Sequence, residues 1–69
     1  MPELATYHRH RAYAASPERA DVAWATAALR RGVEPHVVLR EVAARGARAK
    51  VSQEAALAHG TRVVARALA

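Results

Sequence analysis

Apolar positions along this 69-residue chain recur at steps of three and four, and no window alternates apolar and polar residues with β-branched or aromatic side chains. That pattern predicts helices and argues against strands. Four helices fit the punctuation. The first spans about Pro2 to Ala14, with Leu4, Tyr7, Arg11 and Ala14 on one side and Glu3 at the positive end of the dipole. Its bulky anchors are Leu4, Tyr7 and Tyr13.

The second start is marked by Ser16 as N-cap, Pro17 at the first helical position, and Glu18 and Asp21 in the opening turns. The two acids are read as serving the helix dipole. Val22, Ala25 and Leu29 form the stripe of this helix, with Trp24 and Ala28 beside it. Arg30 and Arg31 close the last turn, and Gly32 is a natural left-handed terminator. A third helix opens at Glu34-Pro35, where Val33 and Val38 can staple the entry. Val38, Val42 and Arg45 share one line, flanked by Leu39, and Gly46 ends the helix. After the connection 46–51, Ser52 caps a fourth helix with Leu57, Thr61, Val64 and Leu68 in line. Gly60 sits inside it, where it costs up to ~1 kcal/mol relative to Ala. It therefore admits a close backbone or marks a bend.

Short connections favour neighbouring antiparallel helices. The expected fold is all-α, a small three- or four-helix bundle. It reads as one domain over 1–69, with 1–15 an N-terminal helix of the kind a linker can supply and 16–69 the core bundle.

Composition changes that picture in one respect. Of the 36 apolar residues, 19 are Ala, and there is no Phe. A domain this size buries only about 60% of its unfolded surface. With so few large side chains its core is thin, which points to docking on a neighbouring domain or on a second copy. Trp24 is the largest group available for the centre.

Charge is uneven. Residues 1–41 carry six basic and five acidic side chains, whereas residues 42–69 carry five basic and one acidic. The five are Arg45, Arg48, Lys50, Arg62 and Arg66. Arg62 and Arg66 are four apart and share a helix face. A cationic cluster on a helical unit is a phosphate-binding surface in outline, and these five are the candidate nucleic-acid contacts. A solvated face is the alternative.

Other chemistry finds little footing. Cysteine is absent, so disulfides and thiolate zinc sites are excluded. No Gly-rich phosphate loop and no nucleophile with a spaced base occurs, and no catalytic residue, cofactor or metal site is expected. His8 and His10 point to different sides of a helix. With His36 and His59 they are read as exposed or half-buried, and they can meet a metal only if the fold gathers them. No run of ~20 apolar residues is present to span a membrane. His8, Arg9, His10 and Arg11 stand where a signal core would lie, so a cytoplasmic location is expected.

Three stretches carry a resemblance. ADVAWATAALRRG (Ala20 to Gly32), VEPHVVLREVAARG (Val33 to Gly46) and TRVVARAL (Thr61 to Leu68) resemble, in order and character, the C-terminal helical-bundle domain of RepB-type plasmid DNA primases. The resemblance covers about residues 16–69. The family's last helix commonly carries an aromatic followed by Glu-Arg-Thr-Val and a basic residue. Here Arg62, Val64 and Arg66 match, while His59 stands where the aromatic would be, Thr61 replaces Glu and Val63 replaces Thr. The connection before that helix is shorter and lacks the usual Pro-Gly.

The resemblance implies a non-catalytic accessory domain that follows a catalytic primase domain. It would hold single-stranded DNA template, and an initiating nucleotide with it, near an active site located elsewhere. A second expectation belongs to another class: a protein-interaction or dimerisation bundle without a nucleic-acid role, with a homodimer as its simplest form. A helix-turn-helix reader of duplex DNA is weaker, because Glu34-Pro35-His36-Val37 offers few base-edge donors.

Overall fold

The computed structural model describes residues 2–69, which form an all-α bundle with no strand among them. The elements are α1 (Leu4–Arg9), a 3₁₀ turn (Arg11–Tyr13), α2 (Pro17–Arg30), α3 (Pro35–Arg45) and α4 (Gln53–Leu68). The punctuation sets most boundaries. Ser16 Oγ accepts from Arg19 N and Ser52 Oγ from Ala55 N, so each N-cap satisfies an orphan donor. At the end of α2, Gly32 adopts φ +89°. Its N–H bonds to Leu29 O and that of Val33 to Ala28 O, a Schellman closure.

The first helix is shorter than the expected Pro2–Ala14. His10 is extended (φ −70°, ψ 134°), and its Nδ1 accepts from Ala12 N. That local side-chain bond competes with the helical ladder and turns the chain into the 3₁₀ segment.

The core consists of Leu4, Trp24, Ala25, Ala28, Val38, Val42, Val63 and Val64, with Tyr7, Val22, Leu29, Val33, Leu39 and Ala67 packed around it. α3 and α4 form the most extensive helix pair, α2 packs on α4, and α1 lies against α2. Trp24 is buried, and its indole Nε1 donates to Pro2 O at 3.1 Å, tying the N-terminal segment to α2.

The fourth helix differs from its expected register. Its buried side is Ala56, His59, Gly60, Val63 and Val64, whereas Leu57 is 43% and Leu68 63% exposed. The small residues decide this. A Cβ built on Gly60 would sit 2.9 Å from Leu39 O, so Gly60 is where the α3 and α4 backbones approach closely. Close packing of two Ala- and Val-rich helices outweighs the transfer gain of two leucines, which stay on the outside.

Candidate nucleic-acid interface

Asp21 lies one turn into α2 on the same face as Trp24, Ala25 and Ala28, and its side chain is fully buried. Three donors converge on it. His8 Nε2 meets Oδ1 at 2.6 Å, His59 Nε2 meets Oδ2 at 2.7 Å, and Ala47 N donates to Oδ2 at 2.8 Å. A carboxylate only accepts, so both imidazoles present Nε2–H. The cluster joins α1, α2, α4 and the loop after α3 through one residue. It also accounts for Gly46: a Cβ there would meet Asp21 Oδ2 at 2.8 Å.

Two expectations from the sequence are corrected here. The histidines were expected exposed or half-buried, but His59 is buried. Asp21 was assigned to the helix dipole, but it is a satisfied core acceptor. A buried carboxylate is costly unless paired and hydrogen-bonded, and here the fold supplies three partners. Each imidazole meets a different carboxylate oxygen at hydrogen-bond length. Among the described residues, no group of three or more His, Cys, Asp or Glu is arranged to hold a metal ion. The other ring nitrogen of His59, Nδ1, lies 3.9 Å from Glu18 Oε2, so the ring stands between two carboxylates.

Beside this cluster a groove of about 610 Å³ runs between the start of α2 and the outer half of α4. Arg19, Arg62 and Arg66 line it, with Tyr13, Ser16, Glu18, Val22, His59 and Val63. Arg62 and Arg66 reach it because they flank the buried pair Val63–Val64 on α4. Arg19 reaches it from the first turn of α2, and Tyr13 from the 3₁₀ turn.

The five sequence-derived cations are therefore not all in one place. The structure brings Arg62 and Arg66 together in the groove. Arg48 borders it through Glu18, with Nη2 3.9 Å from Oε2. Arg45 is paired within its own helix to Glu41 at 3.7 Å. Lys50 lies in a separate hollow with Arg40, Ala43, Ala44, Ala56 and Leu57. The missed groove residues are Tyr13, Glu18 and Arg19. They come from the segment where sequence charge is balanced, and only the packing of α2 on α4 sets them opposite Arg62 and Arg66.

No described helix is long and apolar enough to cross a membrane. The chain matches no protein-family model, no curated protein and no solved structure.

Proposed function

We propose that this bundle binds single-stranded DNA as a non-catalytic accessory domain of a replication primase, with the α2–α4 groove as the strand's seat. The observation that carries the binding reading is the meeting of Arg19, Arg62 and Arg66 in one groove beside Tyr13. Guanidinium groups neutralise successive phosphates, and an aromatic wall accepts a base face without sequence preference. Arg48 supplies a fourth cation at the rim. In this reading Arg45 and Lys50 add only diffuse attraction.

The primase context, and with it a catalytic domain as neighbour and a cytoplasmic setting, rests on the resemblance of residues 16–69 to the RepB-type bundle. Arg62 and Arg66, which match that family's closing helix, are two of the three groove arginines.

The test is anisotropy of a fluorescein-labelled oligothymidylate titrated with the domain at about 50 and 200 mM salt. Binding that weakens steeply between the two supports the reading. Absence of binding at the lower salt rejects it.

One observation favours a second reading, a protein-interaction or dimerisation bundle. Leu57, Thr61 and Leu68 form an exposed stripe along the outer face of α4. Sedimentation equilibrium separates the two: a tight dimer with no oligonucleotide binding selects the second.

A further inference from the structure

The α2–α4 groove holds one group that a phosphate seat does not need. Glu18 lines it together with Arg19, Arg62 and Arg66, and an acid there repels a polyanion. Its carboxylate is about half exposed rather than sealed in an ion pair. Arg48 Nη2 and His59 Nδ1 each stand 3.9 Å from Oε2, too far for hydrogen bonds, so neither occupies the carboxylate's lone pairs. Behind it, His59 is buried and held by Asp21 at 2.7 Å. The result is a carboxylate with both oxygens free to accept, lining the same groove as Tyr13.

Resting on the single-strand reading above, we propose that Glu18 reads the Watson–Crick edge of one unstacked base and selects guanine. A carboxylate offers two parallel acceptors. Guanine alone presents two adjacent donors on that edge, N1–H and the N2 amine. Adenine and cytosine pair one amine with an acceptor, and thymine flanks its single N3–H with two carbonyls. Unstacked bases of single strands are read along this edge. The three arginines hold the flanking phosphates, and Tyr13 provides the wall against which the base lies. The acid thus gives up some general affinity in exchange for a base preference.

The experiment compares labelled oligothymidylates of about nine nucleotides that carry at the centre dT, dG, deoxyinosine or 7-deaza-dG. The dG oligonucleotide binds about tenfold tighter than the all-dT one. Deoxyinosine, which lacks the N2 amine, loses most of that gain. The 7-deaza-dG analogue keeps it, because its Watson–Crick edge is intact. That arm matters because an arginine reading guanine N7 and O6 would also prefer dG, and would lose its preference with 7-deaza-dG. Glu18→Ala, with its fold checked by circular dichroism, binds dG and dT oligonucleotides alike.

Three results overturn the proposal: equal affinity for dG and dT in the native chain, a dG preference that survives Glu18→Ala, or a preference abolished by 7-deaza-dG. These leave the single-strand reading standing. Failure of every oligonucleotide to bind overturns both.

Discussion

Asp21 on α2 and His59 on α4 are 38 residues apart in sequence and joined by a 2.7 Å hydrogen bond, with both side chains buried. The bond ties α4 to α2 within the packed interface that sets Arg62 and Arg66 across from Arg19.

Asp21→Ala removes the shared acceptor and leaves three donors unpaired: the buried His59, and the part-buried His8 and Ala47 N–H. Breaking a buried charged network by removing one partner costs about 3 kcal/mol or more. A domain of this length has roughly 3–10 kcal/mol in total. Urea denaturation followed at 222 nm is expected to show a greatly lowered midpoint or no cooperative transition. A midpoint unchanged from the native chain contradicts the structural role of the cluster.

His8→Ala tests the same cluster from its outer side. His8 is partly exposed, so a loss of about 1 kcal/mol is expected. Its signature is local. α1 is held to α2 by His8, Leu4 and the Trp24–Pro2 hydrogen bond, so loosening α1 wets the indole. Trp24 emission shifts to the red while helicity stays close to native. An unshifted emission maximum rules out the anchoring role.

Gly60→Ala sets two effects against each other. Helix propensity gains about 1 kcal/mol. The new methyl, however, would lie 2.9 Å from Leu39 O, a backbone atom of a packed helix. Overpacking of this kind costs roughly 1–3 kcal/mol, so net destabilisation is expected. A thermal melt decides the sign, and a raised melting temperature refutes the close approach.

The fold was legible from the sequence at its punctuation. Ser16-Pro17, Gly32, Glu34-Pro35 and Ser52 mark ends that depend on local hydrogen bonding, and local signals suffice for those. The faces were less legible. Leu57 and Leu68 dominate any hydrophobic reading of the last helix, yet Ala56, Gly60 and Val63 face inward because the α3 backbone comes so close. The pair Asp21–His59 left a trace: each residue shares a helical face with its helix's smallest apolar groups. Polar character argued the other way, since a buried acid is reasonable only once its partners from α1, α4 and the loop are known. Arg62 and Arg66 were found by charge alone. Arg19, Glu18 and Tyr13 could not be, because their role comes from which helix packs opposite.

Placement separates the groove from diffuse charge. Arg19→Ala removes a groove cation, whereas Lys50→Ala removes an equal charge from the hollow on another side of α4. Arg19→Ala is expected to weaken oligothymidylate binding by about 1 kcal/mol, some fivefold, and Lys50→Ala by much less. Equal losses in an anisotropy titration place the strand elsewhere.

The most direct test of the central claim is the salt dependence of oligothymidylate affinity for the native chain and for the double variant Arg62→Ala/Arg66→Ala. Two lost phosphate contacts lower the slope of log K against log salt by about 1.4, at roughly 0.7 per contact on a single strand. The account predicts that flattening, together with weaker binding at low salt. A double variant that binds as tightly as the native chain, with the same slope, contradicts it.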